Sequence, residues 1–350
     1  MHRKRIYSIR DGVWPGKARD DRHVKARVSR YRIRREGLPQ LTVIRFRPLF
    51  LAASILAFPA TALAATATPT PVVRIIGDPL PASLKQVMTT PVGAWRSRAL
   101  EVFRWDRFPD IVVIDARNFQ VQDRMFTRLA YFVEKKGYRG RLMTNAELAG
   151  RHGWNAHDYG PDGLAAFYNA ASAQGFPLNP EEKALEALAL REGILVSAGD
   201  GVSPGTGGVL GLSRSSSEIE RRYLLTHESF HGIFFSSAAY RDFCFQLWDS
   251  LPVNERQFYI DFLDSLGYDG GDRFLAVNEF QAYLMQQPLK YASSYFQRFL
   301  DRFAAQGTET AGLAAMLGET ARTLDEFLQQ SFGIQAGETI LSSPPGAQGQ

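Results

Sequence analysis

Leu224-Leu225-Thr226-His227-Glu228-Ser229-Phe230-His231-Gly232 is the stretch from which the chain is best read. Ile219, Tyr223, Phe230 and Phe234 recur at helical spacing around it, and Ser217 with Glu220 offers a capping box at its start. The stretch therefore predicts an amphipathic helix beginning near residue 218. On such a helix His227 and His231, four residues apart, fall on nearly the same face one turn from each other. Two imidazoles can then reach one metal ion. Glu228 stands about 60° round the axis from His231, placed to overhang that ion without ligating it.

A metal held for chemistry needs a third protein ligand and an open position. The long pattern with a third His six residues after the second is absent, because Phe234 and Ser237 occupy its Gly and His places. Downstream, Ala276-Val277-Asn278-Glu279-Phe280-Gln281-Ala282-Tyr283-Leu284 reads as a helix stopped by Pro288. Glu279 lies on a largely apolar element there, where an unpaired carboxylate is costly and a metal would satisfy it.

With these residues the chain resembles the gluzincin metallopeptidases, in which H-E-x-x-H on one helix is completed by a Glu from a later helix, often within Asn-Glu-x-x. The resemblance covers His227 to His231 and Asn278 to Glu279. It implies that His227, His231 and Glu279 hold zinc, and that Glu228 is the general base and acid of peptide hydrolysis by zinc-bound water. The thermolysin-like branch places an Asp four residues after its ligand Glu; here Tyr283 takes that place, either donating to the oxyanion or packing as an aromatic. The family also binds the substrate backbone along an edge strand ahead of the zinc helix, and Val209 to Leu212 stands where that strand is expected.

Working outward, Asp110-Ile-Val-Val-Ile-Asp-Ala116 is a buried strand, and Phe126, Leu129, Ala130 and Phe132-Val133 mark a helix closed by Gly137. Thr144 with Glu147 caps a short helix, and Asn179-Pro180-Glu181 starts another that runs to about Glu192. Ile194 to Ser197 is a strand. The Gly-rich segment 199–212 lacks both the Gly-Lys-Ser/Thr ending and the G-x-G-x-x-G pattern, so it is read as a hairpin pairing that strand with Val209 to Leu212. Beyond Ser213 the chain reads as helical. The expected class is α+β, with a mixed α/β portion over 72–198, a mostly helical zincin-like half over 199–334, and a disordered tail over 335–350.

The 350 residues carry a net charge of +5, but residues 1–64 hold 15 Lys/Arg against 4 Asp/Glu, so the remainder is net acidic. That argues against a nucleic-acid partner. Arg45 and Arg47, the apolar run from Pro48 to Ala60, and Ala62-Leu63-Ala64 form the three parts of a signal peptide cleaved after Ala64. The expected product is exported to the periplasm or the medium, with a linker over 65–71 and no membrane span. The basic stretch 1–42 is long for a signal peptide and suggests a start nearer Leu41 or Val43. Cys244 is the lone cysteine, so no intramolecular disulfide forms, and it reads as a small buried hydrophobe. His152 and His157 have no ligand spacing and read as surface or loop histidines, and the aromatics after residue 223 read as core. The expected partner is a peptide or protein, cell-wall peptides included. The alternative is a non-catalytic envelope binding or scaffold protein with a structural or vestigial metal site.

Overall fold

Ile111 to Ala116 becomes a strand buried on both faces because helices cover both. The computed structural model describes residues 73–341. The leader, its cleavage point, the 65–71 linker and residues 342–350 lie outside them. The described chain opens with β1 (Leu80–Ala82), α1 (Leu84–Thr89), β2 (Leu100–Trp105) and β3 (Ile111–Ala116). Helices α2 (Phe119–Val133) and α3 (Asn145–Leu148), strand β4 (Ala156–Tyr159), and helices α4 (Pro161–Ala173) and α5 (Pro180–Arg191) follow. Strands β5 (Leu195–Ala198), β6 (Gly201–Pro204) and β7 (Gly208–Ser213) lead into α6 (Glu218–Ser236), α7 (Ala238–Ser250), α8 (Val253–Leu266) and α9 (Arg273–Met285). Helices α10 (Ala292–Ala305) and α11 (Leu313–Phe332) and a turn of 3-10 helix (Thr339–Leu341) end the described chain. The class is α+β, as expected.

The main sheet runs β1-β2-β3-β7-β4. β7 lies parallel to β3, with Val112 opposite Val209, and antiparallel to β4, with His157 opposite Gly211. Alternate residues of β3 point to opposite faces. Val112 and Ile114 join Met125, Phe126, Leu164 and Leu185 in one core, while Ile111 and Val113 join Leu225, Phe230, Phe280 and Leu324 in the other. The sheet is thus a septum between α2, α4 and α5 on one side and α6 with the later helices on the other.

Two expectations about the middle of the chain are corrected here. The hairpin forms between β5 and β6 alone, with Ala198 opposite Gly201 and a two-residue loop led by Gly199 at φ +55°. Val209 to Leu212 leaves it and enters the main sheet. The boundary at residue 198 therefore does not separate two bodies, because β7 is a central strand between two strands of the earlier portion.

Gly211 shows why β7 has the composition it has. A Cβ there would stand 2.5 Å from Phe126 Cε2, since the Phe126 ring lies across the strand and stacks on His157 at 4.9 Å. Gly211→Ala should cost about 1–3 kcal/mol through overpacking, read as a lower denaturant midpoint at unchanged m-value; an unchanged midpoint would mean that α2 yields freely.

Two smaller corrections concern the chain's surface and its end. Ile219 is not on the apolar face of α6: it is 85% exposed, in the helix's first turn. The tail does not start at Gln335, because Ile334, Ala336, Thr339 and Ile340 are buried and the backbone N–H of Ala336 donates to Asp325 Oδ1 at 2.7 Å. The Ser229 and Thr339 hydroxyls, 2.7 Å apart, fix this segment against α6. No described helix is long and apolar enough to cross a membrane.

Candidate metal centre

Helix α6 starts as its sequence specifies, with Ser217 Oγ accepting the N–H of Glu220 at 3.3 Å. The reciprocal half of the box is not made. Glu220 instead accepts from Asn155 Nδ2 at 2.6 Å, which ties the helix start to the approach to β4. Three turns further along, His227 and His231 turn toward α9, whose start is capped by Asp272 through the N–H of Leu275. Val277 and Phe280 bury that helix in the core, and Glu279 between them faces the two imidazoles.

The donor atoms converge. His227 Nε2 and His231 Nε2 are 3.1 Å apart, and Glu279 Oε2 lies 3.6 Å from the first and 3.7 Å from the second. A tetrahedral ion with bonds of ~2.0–2.1 Å sets its ligands roughly 3.3–3.4 Å apart. The triangle has the size such an ion requires.

What the other ring nitrogens do sharpens this. His227 Nδ1 is 2.9 Å from Gln286 Oε1, an acceptor, so that nitrogen carries the proton and Nε2 presents a lone pair. His231 Nδ1 stands 3.5 Å from Asp158 Oδ2 and makes no hydrogen bond. Two imidazole Nε2 atoms and a carboxylate oxygen then point at one another, and Glu279 Oε2 is buried with no hydrogen-bond partner. A cation resolves that arrangement, and the buried group His227, His231 and Glu279 is one that could hold a metal ion.

The titration tendencies point the same way. Burial pushes His227 down to about 4 and Glu279 up to about 8. Glu228 is raised well above the ordinary carboxylate range by burial and then by Asp158, Glu279 and Glu134. Without a positive charge each group is driven toward its neutral form, and a divalent ion reverses that preference.

Glu228 is 4% exposed, and its Oε2 has no hydrogen-bond partner. With His227 it lines a cavity of about 340 Å³ walled by Trp154, Tyr223, Tyr268, Tyr283 and Tyr295. Tyr283 packs edge-on against the His227 ring at 4.6 Å and against Phe262 at 4.8 Å. Burial, then Glu279, raises its phenol, which therefore keeps its proton and can donate it in a hydrogen bond. Both of the uses expected of Tyr283 are thus open to it, as packing and as a donor. Of the later aromatics, Phe258, Tyr259 and Phe262 are core, but Tyr223, Tyr268 and Tyr295 join Tyr283 on the cavity wall.

The remaining sequence candidates are placed as follows. Cys244 is buried, and burial raises its thiol. His152 is a half-exposed loop residue held by Asp123 at 2.7 Å and Asn155 at 2.9 Å. His157 is not in a loop: it is buried on β4, hydrogen-bonded to the Tyr159 hydroxyl at 3.1 Å, with its protonation suppressed by burial. Val209 to Leu212 is not an edge, since β3 and β4 pair with it on both sides. Among the described residues β4, which carries Asp158, is the edge strand beside the centre.

Three residues escaped the sequence reading. Gln286 is seven residues after Glu279, two turns along the same helical face, and that spacing could have flagged it. Asp158 and Glu134 arrive from other elements and carry no local signal. No family model, no curated protein and no solved structure matches the chain.

Proposed function

We propose that the chain is a zinc-dependent peptidase with His227, His231 and Glu279 as metal ligands and Glu228 as general base and acid. The observation that carries this is the convergence of two imidazole Nε2 atoms and an unpartnered buried carboxylate oxygen at 3.1–3.7 Å. Two nitrogens and one oxygen suit zinc, and a catalytic site keeps its fourth position open. Bound there, the ion would supply Lewis acidity and lower the pKa of a coordinated water to about 7.

The chain's own residues would do the rest. Glu228, overhanging the cavity, takes a proton from the attacking water and returns it to the leaving amide nitrogen as the C–N bond breaks, so that water and a peptide bond become a carboxylic acid and an amine. Gln286 holds the His227 imidazole in the tautomer that leaves its Nε2 bare, and Asp158 stands 3.5 Å from Nδ1 of His231. Tyr283 and Tyr268 bring hydroxyls to the same cavity as Glu228, where a developing oxyanion needs donors. The unpaired edge of β4 can take an extended peptide by strand addition.

The absence of an Asp at the Tyr283 position would favour a non-catalytic scaffold. Gln286 now backs His227, and a purely structural site has no use for Glu228. Elemental analysis after zinc loading tests the proposal. The expected result is one zinc per chain, lost in Glu279→Ala and His231→Ala, with peptide hydrolysis lost in both. Iron in place of zinc, or metal retained in both variants, would overturn it.

A further inference from the structure

β4 separates two cavities. The aromatic one reaches residues 152–156, while a larger one of about 910 Å³ reaches residues 158–163. That volume lies at the upper end of the range for ligand sites. Phe132, Val133, Tyr159, Phe235, Phe274 and Leu275 give the larger cavity apolar walls.

Its polar groups are mostly acceptors. Asp110, Glu134, Asp158, Asp162 and Asp272 line it against two guanidinium groups, those of Arg139 and Arg241. Arg139 is engaged by Asp272 at 2.9 Å, and Arg241 donates to the carbonyls of Phe234 and Phe235. Asn278 Nδ2 donates to Asp158 Oδ2 at 3.0 Å, which leaves Asn278 Oδ1, buried on the same wall, with no partner. A ligand that satisfies these walls must bring donors and positive charge to an otherwise apolar space.

We propose that this cavity is the binding site for an apolar peptide segment carrying one positive charge, with the cation lodged against Asp158 and Asn278. That the segment belongs to the substrate rests on the peptidase reading. Asp158 Oδ2 lies 3.5 Å from Nδ1 of His231, one of the proposed ligands, so the basic residue would lie close to the scissile bond. Five carboxyl-bearing residues against two guanidinium groups make the lining acidic in sum, which favours a cationic guest.

The test uses acetylated, amidated peptides of Leu, Phe and Ala in which Lys, Gln or Glu is walked through each position. Binding to the zinc-loaded Glu228→Gln protein is read by fluorescence anisotropy at low and high salt. At one position the Lys peptide should bind about tenfold tighter than its Glu counterpart, with the difference shrinking as salt rises. Ala166→Trp fills the cavity from the exposed face of α4, and Asp162→Lys reverses a charge on its rim. Neither touches a metal ligand, so zinc content should stay at the unsubstituted level while the Lys preference falls to within about threefold. Equal affinities for Lys and Glu peptides, or a Lys preference that survives Ala166→Trp, would overturn the assignment. Should the preference behave as expected while the unsubstituted, zinc-loaded protein cleaves none of the peptides, the peptidase reading falls and the cavity assignment stands.

Discussion

Glu228→Gln should leave a folded protein that binds one zinc and hydrolyses peptides 10²- to 10⁴-fold more slowly, the range for removing a positioned acid–base group, about 2.7–5.5 kcal/mol of transition-state free energy. The substitution keeps the shape of a side chain that is 4% exposed and removes only its ability to take a proton. In the metal-free protein burial already holds Glu228 toward its neutral form, so the amide should not destabilise the fold. The loss should appear in kcat and kcat/KM alike, because proton transfer is made in the transition state and not in substrate binding. Measuring zinc content beside kcat/KM separates three cases. Zinc retained with turnover lost is the expected result. Zinc lost as well would make Glu228 a ligand, through the neighbouring group of Asp158, Glu228 and His231. Unchanged turnover would remove Glu228 from the chemistry.

The parts of this site legible in the sequence are those fixed by helical periodicity. His227, Glu228 and His231 needed only a helix with a start signal, and Ser217 supplied one. Glu279 was legible because a carboxylate between Val277 and Phe280 contradicts an apolar face unless something pairs with it. Asp158 was not legible, since its role depends on β4 lying antiparallel to β7, a pairing set by non-local packing of Phe126 over Gly211. The same packing turned His157 from an expected loop residue into a buried one. Val209 to Leu212 was recognisable as a strand, but its partners were not: a buried apolar run fits a hairpin and a central position equally well. The Gly-, Ser-, Pro- and Gln-rich composition from about Gln335 suggests disorder, and only the surface offered by α1 and α6 to the Thr339–Leu341 turn explains why Ile340 is buried.

Asp115→Ala should destabilise the protein by about 3–5 kcal/mol, the cost of stranding a buried charge by removing its partner. Asp115 closes the β3 run and is fully buried; within an otherwise apolar strand it is tolerable only because two guanidiniums meet it. Arg221, in the early turns of α6, donates to it from Nη1 at 2.8 Å and Nη2 at 3.1 Å. Arg214, between β7 and α6, donates from Nε at 2.8 Å and extends Nη2 to the carbonyls of Val87 and Thr90 at the end of α1. One carboxylate therefore joins the sheet, α1 and the start of the helix that carries both histidines. A loss of this size is a large fraction of the 5–15 kcal/mol that holds a typical domain folded, so the variant should show a much lower urea midpoint at a similar m-value. Asp115→Val combined with Arg221→Met should recover part of the loss, because it removes the more deeply buried guanidinium along with the carboxylate, while Arg214, 20% exposed, keeps its bonds to the Val87 and Thr90 carbonyls. Below its transition the Asp115→Ala protein should keep full zinc stoichiometry, since no metal ligand touches Asp115. A loss under about 1 kcal/mol would put the cluster in the range of exposed pairs and shift the anchoring of α6 to its apolar face, Leu225, Phe230 and Ile233.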